Sequence, residues 1–173
     1  MSEKEQLKTA LERNLKALEL RPSIGQGTAV TKVSIRDACT ADIEDGGWKF
    51  IADESVKDGG NGEGPDPGVY GRAALGSCLA IGYAQWAALL GVPFEKIEVE
   101  VHADYDARGM FGLDESVAPG WGAVRYVVNI ESSAPEADVR RVIERADKLS
   151  PLLDDFSRAL SVTRDLHISA AVS

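Results

Sequence analysis

Two cysteines are the residues of this chain with the clearest capacity for chemistry. Cys78 lies inside a segment that is uncharged from Ala73 to Phe94, and Cys39 lies in a segment of mixed polarity. A cysteine attacks other molecules as its thiolate, whereas an ordinary thiol is mostly protonated at neutral pH. A reactive Cys78 therefore needs a cation that the fold brings to it from elsewhere. The other interpretation is that Cys78 is a packing residue, and the residue pattern alone leaves both open.

Arg36 and Arg72 are the cations considered for this role. Arg72 precedes Cys78 by six residues, so on a helix it points to a different face, and we expect it to reach solvent or a carboxylate. Arg36 follows a predicted strand and reaches Cys78 only through tertiary structure. Cys39 follows Arg36 by three residues and could serve as a second thiol, with a small buried core residue as the alternative.

Metal and cofactor chemistry have no support in the sequence. His102 and His167 have no second ligand at metal-binding spacing, so we predict no metal site. The glycine-rich loop before Pro67 lacks the Lys-Ser/Thr of a phosphate-binding loop, so we predict no nucleotide or other cofactor.

A long central helix is predicted to carry Cys78. Asp66 can cap it, Pro67 suits its first turn, and Gly91 followed by Pro93 ends it. The helix has no polar stripe, which is typical of a helix inside a core or a membrane. Because the rest of the chain is amphipathic, we predict a core helix and no membrane partner. Small residues recur every fourth position and predict a close helix neighbour: Gly76, Ala80, Ala84 and Ala88.

The remaining periodicities predict an α+β fold, because the strands come in antiparallel runs. The predicted strands are Thr28–Ile35, Ala38–Ile43, Trp48–Asp53, 96–105, Gly122–Ser132 and Ser161–Ala170. The predicted helices are residues 3–20, Ala134–Leu149 and a short one from Pro151 to Leu160, with a long apolar connection at Ala107–Pro119. The first helix is expected to dock through Leu7, Leu11, Leu15 and Leu18.

Composition indicates one domain. The 173 residues divide into an N-terminal helix and linker (1–27) and a single domain (28–173). A net charge of −9 argues against nucleic acid or an anionic membrane as a partner. The charged N-terminus lacks the apolar core of a signal peptide, and two cysteines make no disulfide scaffold, so we expect a cytoplasmic protein.

Three phrases carry a resemblance to a known family: GG-x-GEGPDPGVYGRAALGSCLAIG, the strand phrase FIADES before it, and KLSPLLDDF near the end. Together they resemble the OsmC/Ohr family of thiol-dependent hydroperoxide reductases. The resemblance implies an OsmC-like fold, with antiparallel sheets around long central helices, and an intertwined homodimer with active sites at the subunit interface. The resemblance also implies that Cys78 attacks the peroxide and that Arg36 contacts Cys78.

Two positions depart from the family pattern. Ser150 stands before Pro151, where peroxide-reducing members have the cysteine that forms a disulfide with the first. A hydroxyl cannot resolve a sulfenic acid. Gly68 follows Pro67, where the hydroperoxide-resistance branch has a glutamate that holds the arginine. Glu63 or Asp66 could replace that glutamate only if the loop folds back.

Two functions follow as hypotheses. In the first, a one-cysteine enzyme reduces small apolar organic hydroperoxides at Cys78, and an external thiol, or less readily Cys39, completes the cycle. In the second, the chain is a non-catalytic homodimer of the same fold that binds a small apolar ligand. Ser150 favours the second hypothesis, whereas Cys78 and Arg36 favour the first.

Overall fold

A computed structural model describes residues 2–170 of the chain. The elements in chain order are α1 (Glu3–Leu20), β1 (Thr31–Asp37), β2 (Thr40–Asp45), β3 (Trp48–Ala52), α2 (Pro67–Leu90), β4 (Lys96–Asp104), α3 (Ala107–Met110), β5 (Ala123–Glu131), α4 (Glu136–Lys148) and α5 (Pro151–Ser157), with single 3-10 turns at Pro22–Gly25 and Val56–Asp58. The α+β class and the predicted order from α1 to α5 are confirmed, except that a short helix, α3, lies between β4 and β5 and the predicted final strand is absent.

The central helix α2 begins and ends at the predicted residues. The Asp66 carboxylate accepts the Val69 N–H at 3.0 Å, and Gly91 ends the helix in the left-handed conformation, with φ of 68°. Leu75, Leu79 and Tyr83, spaced by one turn, are fully buried. They form the core with Val142 and Ala146 of α4 and with the inner face of β4 and β5.

The opposite face of α2 is open in the single chain. Ala73 and Ser77 are exposed, and Ile81, one turn further on, is 58% exposed. By length and mean hydropathy α2 could cross a membrane, a test that the core helix of a water-soluble protein also passes. At Gly76 the close neighbour is a strand and not the predicted helix, because a Cβ there would lie 3.2 Å from Val101 Cγ2.

Two antiparallel sheets are present in the described residues. The N-terminal sheet has the order β1-β2-β3, with Val33 opposite Ile43 and Ile43 opposite Phe50. The C-terminal sheet pairs β4 with β5, with Val99 opposite Val128, and its alternating apolar face covers α2. Every residue of β1 is exposed, so the N-terminal sheet projects from the body of the molecule.

The N-terminal sheet joins the body at the start of α2. The Phe50 ring packs against the Tyr70 ring, with their centroids 5.6 Å apart, and the Tyr70 hydroxyl donates to the Ile51 carbonyl at 2.5 Å. The N-terminal sheet therefore contacts the body through β3, whereas β1 lies at its opposite edge.

Several predicted boundaries were wrong. Strand β1 continues to Asp37 and so includes Arg36, and the predicted start of β2 at Ala38 is a turn in which Ala38 has φ of 36°. Cys39 lies in this turn and is exposed, which corrects its expected burial in the core. The predicted connection after β4 contains the short helix α3, and its large apolar side chains are exposed: Met110, Phe111 and Leu113. Tyr105, predicted as the last residue of the strand before it, lies outside β4 and is exposed as well.

The predicted final strand, Ser161–Ala170, does not form. Residues 161–170 have no regular secondary structure and no described strand pairs with them, so their backbone N–H and C=O groups have no ladder to join. Its alternating apolar residues face solvent, with Val162 90% and Ile168 86% exposed.

Helix α1 docks through its N-terminal half only. Leu7 and Leu11 are half-buried, and Lys4 Nζ donates to the Phe94 carbonyl at 2.9 Å. Leu15 and Leu18, predicted to dock as well, are 47% and 40% exposed. Ser2 and Glu5 form a capping box, which starts the helix.

Candidate active site around Cys78

The site is built where α2 passes the junction of α4 and α5. Cys78 is half-buried about three turns into α2, and its Sγ lies 3.5 Å from the Ser150 hydroxyl oxygen. Ser150 is 6% exposed and caps α5, accepting the Leu153 N–H at 3.3 Å. The structure therefore brings together the two positions, 78 and 150, that the sequence singled out from distant segments.

Two tyrosines and a carboxylate hold this junction in place. Asp147, in the last turn of α4, accepts the Tyr83 hydroxyl at 2.6 Å and the Tyr126 hydroxyl at 3.1 Å. Burial, followed by the hydrogen bond to Asp147, raises the pKa of Tyr83, so this phenol remains protonated and remains a donor. The Ser150 N–H donates to the Asp147 carbonyl at 3.2 Å, which ties the serine to this clamp.

An aromatic pair lies on the same side of α2 as Cys78. Trp121 stacks on Phe156 of α5, with ring centroids 5.9 Å apart. Trp121 approaches α2 at Gly71, where a Cβ would lie 2.8 Å from its Cη2. Since Gly71 precedes Cys78 by two helical turns, the pair lies along the same side of α2 as the thiol, two turns toward the start of the helix.

Arg36 lies in the N-terminal sheet and is paired with acidic side chains. Its guanidinium donates to Glu63 and forms ion pairs with Asp42 at 3.7 Å and Asp37 at 3.8 Å. The hydrogen bond to Glu63, and then the charge of Asp42, raise the pKa of Arg36. The glycine-rich loop thus folds back, and Glu63 contacts the arginine, while Asp66 is occupied as the cap of α2.

Asp53 is the reason that the loop folds back. This buried carboxylate accepts the N–H groups of Glu54 (2.8 Å), Asn61 (3.1 Å) and Glu63 (3.0 Å), and the hydroxyl of Thr40 (3.1 Å). The hydrogen bond from the Glu63 N–H is the largest cause that lowers the pKa of Asp53. Gly60 permits the loop to pass close to the segment that follows β3, because a Cβ there would lie 2.0 Å from the Glu54 carbonyl oxygen.

Within one chain the thiol and the cation are not brought together. Among residues 2–170, the contacts of Arg36 are with the three carboxylates named above, and the hydrogen-bond partner of Cys78 is Ser150. Cys39 is in the exposed turn after Arg36 and likewise has no contact with Cys78 in this part of the chain. An open groove of about 590 Å³ beside β2 and β3 is lined by Glu63 and Tyr70, not by Cys78.

The sequence analysis missed Asp53 and the Tyr83–Asp147–Tyr126 clamp. Asp53 has a recognisable signal, since an acidic residue at the end of an apolar strand and before a glycine-rich loop is placed to accept loop N–H groups. The clamp has no such signal, because its three members come from α2, β5 and α4 and meet only in the folded chain.

Comparison with known proteins gives concordant results. The family model described as OsmC-like protein matches residues 60–164, whereas no curated protein sequence matches the chain. An OsmC-like protein from Mycoplasma pneumoniae superposes with a TM-score of 0.66 at 12% identity, covering 76% of this chain and 89% of the other.

Two further solved structures have similar folds. The organic hydroperoxide resistance protein OhrB of Bacillus subtilis has a TM-score of 0.51 at 18% identity, covering 75% of this chain and 90% of its own. A putative organic hydroperoxide resistance protein from Vibrio cholerae, with captopril bound in one of its active sites, has a TM-score of 0.52 at 13% identity, covering 75% and 83%.

The family model spans the glycine-rich loop, α2 with Cys78, the C-terminal sheet and both helices around Ser150. The solved structures share the α+β arrangement of antiparallel sheets and a long central helix. The chain therefore belongs to the OsmC-like protein family.

Proposed function

We propose that this protein reduces small organic hydroperoxides at Cys78, as a homodimer and with an external thiol as reductant. The observation that carries the proposal is the contact between Cys78 Sγ and the buried Ser150 hydroxyl at the α2–α4–α5 junction. The thiol is half-buried beside a polar group, and the apolar Trp121–Phe156 pair lies two helical turns away along the same side of α2, a setting suited to an apolar peroxide.

The proposed reaction has two stages. The Cys78 thiolate attacks the outer peroxide oxygen, the O–O bond breaks, and the alkoxide that leaves takes up a proton to become the alcohol. The sulfur is oxidised by two electrons to a sulfenic acid. An external thiol then condenses with it, releasing water and forming a mixed disulfide, and a second thiol frees Cys78 as an external disulfide forms. The Ser150 hydroxyl cannot replace the first external thiol, because a hydroxyl does not condense with a sulfenic acid.

Arg36 is proposed to reach Cys78 across the subunit interface. It lies in the projecting N-terminal sheet, and its ion pair with Glu63 joins side chains that are 42% and 45% exposed. Exposed ion pairs contribute little free energy, so Arg36 can exchange a carboxylate for a thiolate at small cost. A cation beside the sulfur favours the thiolate form.

Peroxide consumption and alcohol formation test the function. With an organic hydroperoxide and excess dithiol, we expect one alcohol per peroxide consumed, and none above background for Cys78→Ser. Arg36→Ala should slow the reaction, whereas the matched change Arg72→Ala, in the same helix as the thiol, should leave the rate close to that of the unmodified protein. A Cys78→Ser protein that consumes peroxide at the original rate contradicts the proposal.

Mixing an inactive variant with a slowed one tests the interface role of Arg36. If Arg36 of one subunit serves Cys78 of the other, unfolding and refolding Cys78→Ser with Arg36→Ala together should give mixed dimers with one intact site. Activity should then exceed that of either variant alone. If Arg36 serves its own subunit, the mixed dimers contain no intact site and the activity does not rise above that of Arg36→Ala alone.

A non-catalytic, ligand-binding role is the second candidate. It is favoured by the observation that, in the described part of one chain, no guanidinium contacts Cys78. It predicts that Cys78 is no more reactive than a free thiol, and that a small apolar ligand binds equally well to the protein and to Cys78→Ser.

A further inference from the structure

Ser150 has one hydroxyl proton, and its surroundings determine where that proton goes. The Ser150 oxygen accepts the Leu153 N–H at 3.3 Å, which occupies one of its lone pairs. Its second polar neighbour is Cys78 Sγ at 3.5 Å, a distance suited to a hydrogen bond that involves sulfur. Because a thiolate carries no proton, the hydrogen bond in the thiolate state can only run from the Ser150 O–H to the sulfur.

The serine is fixed before any chemistry takes place. It is 6% exposed, its N–H donates to the Asp147 carbonyl at 3.2 Å, and Asp147 is itself held by two tyrosine hydroxyls. The hydrogen bond is stronger in the thiolate state because its acceptor is then charged. A donor that is already oriented also loses little entropy when that charge forms.

We propose that Ser150 is the hydrogen-bond donor that stabilises the Cys78 thiolate. The position that would hold a second thiol thus serves the first sulfur directly. This inference rests on the proposed function for its purpose, but the hydrogen bond itself is testable without any peroxide.

The test is the pH dependence of alkylation at Cys78. Iodoacetamide reacts with the thiolate, so its rate follows the thiolate fraction. Trypsin cleavage after Arg36, Lys49, Arg72 and Lys96 places Cys39 and Cys78 on separate peptides, and mass spectrometry then gives a rate for each. The exposed Cys39 provides an internal control in every sample.

Removing the hydroxyl should slow Cys78 alone. In Ser150→Ala we expect the alkylation rate of Cys78 at pH 7 to fall about tenfold, because a hydrogen bond to a charged group is lost. The midpoint of its pH profile should move to higher pH, and the profile of Cys39 should not change. Ser150→Thr retains the hydroxyl and should restore the rate of Cys78.

A third variant, Ser150→Gly, distinguishes the role of Ser150 as the N-cap of α5 from its role as a hydrogen-bond donor to Cys78. Glycine at an N-cap stabilises a helix nearly as well as serine does. The unfolding free energy of Ser150→Gly should therefore be close to that of the unmodified protein, whereas that of Ser150→Ala should be lower. If Ser150 acts as a donor, both variants lose reactivity at Cys78. If Ser150 is only a cap, the alkylation rate of Cys78 changes only where the protein is destabilised, and Cys78 in Ser150→Gly reacts as fast as in the unmodified protein.

The outcomes distinguish this inference from the proposed function. Cys78 profiles of Ser150→Ala and Ser150→Gly that superpose on that of the unmodified protein overturn the hydrogen-bond assignment, even if peroxide is consumed. Profiles that shift as predicted, in a protein that consumes no organic hydroperoxide, support the assignment and contradict the peroxidase proposal.

Discussion

At the scale of single residues, the pairing of Cys78 with Ser150 determines what chemistry the site can complete. The two side chains are 72 residues apart in sequence and 3.5 Å apart in the fold. A thiol at position 150 would face Cys78 directly, whereas a hydroxyl leaves an oxidised Cys78 without an intramolecular partner. The site is therefore one substitution away from a two-cysteine cycle.

Ser150→Cys should convert the site into one that forms a disulfide. The longer C–S bond brings the second sulfur nearer to Cys78, within reach of an S–S bond of about 2.05 Å. We expect one equivalent of organic hydroperoxide to give an intramolecular 78–150 disulfide, identified by peptide mass spectrometry, and turnover with dithiols to rise. Ser157→Cys, two turns further along α5, is the matched control and should give no bond to Cys78.

At the scale of elements, the glycine-rich loop is positioned by the buried Asp53 carboxylate. Three backbone N–H groups and the Thr40 hydroxyl donate to Asp53, and one of these N–H groups belongs to Glu63, the partner of Arg36. An asparagine has one acceptor oxygen in place of two and would direct its NH₂ at a donor, leaving a buried N–H unpaired.

Asp53→Asn should therefore lower the urea midpoint of unfolding, and the loss should depend on pH. Because the folded-state pKa of Asp53 lies below its ordinary value of 3.8, its charge contributes fully to stability above that value. The contribution disappears as the pH falls through the lower, folded-state pKa. We expect the difference in unfolding free energy between the two proteins to be constant from pH 5 to 8 and to shrink below about pH 4. Asp58→Asn, in the exposed 3-10 turn, is the control and should show a smaller difference.

The elements also show how far the sequence determines the structure. The caps of α2 and the alternation in β4 and β5 were predicted correctly because they are local signals. The turn at Ala38 was missed because alanine rarely adopts a positive φ. The loop folds back so that Glu63 contacts Arg36, which was the condition set for Glu63. The part of Asp53 in folding the loop back was not recognised. The clamp around Asp147 could not be predicted, because hydrogen bonds between distant elements leave no periodic pattern.

At the scale of the whole molecule, the single chain leaves apolar surface in three places. The uncovered face of α2 has Ile81 58% exposed, β1 has Ile35 64% exposed, and the segment after α5 has Ile168 86% exposed. Large exposed apolar surfaces mark association sites. We propose that a second copy covers them and that residues 161–170 pair as a strand in the dimer, which explains why the predicted strand is absent from one chain.

Ile81→Glu should weaken the proposed dimer. A charge on the uncovered face of α2 would be buried without a partner on association, while in a monomer it would remain in solvent. Light scattering of the purified protein should give a dimer mass, and Ile81→Glu should shift the mass toward a monomer at micromolar concentration. Asn14→Glu, on the exposed side of α1, introduces the same charge and should remain dimeric. A parent protein that is monomeric and well folded contradicts the dimer proposal.

The rate at which an organic hydroperoxide oxidises Cys78 tests the central claim most directly. Reduced protein is mixed with one equivalent of cumene hydroperoxide at pH 7, and samples are taken over time into dimedone, which traps sulfenic acid. Because the two cysteines lie on separate tryptic peptides, mass spectrometry measures each of them in the same sample. We predict that one equivalent oxidises Cys78 more than about tenfold faster than Cys39, and that a second equivalent, added without dimedone or a thiol, takes Cys78 on to sulfinic acid. Equal rates at the two cysteines, both matching that of a free thiol, would contradict the account.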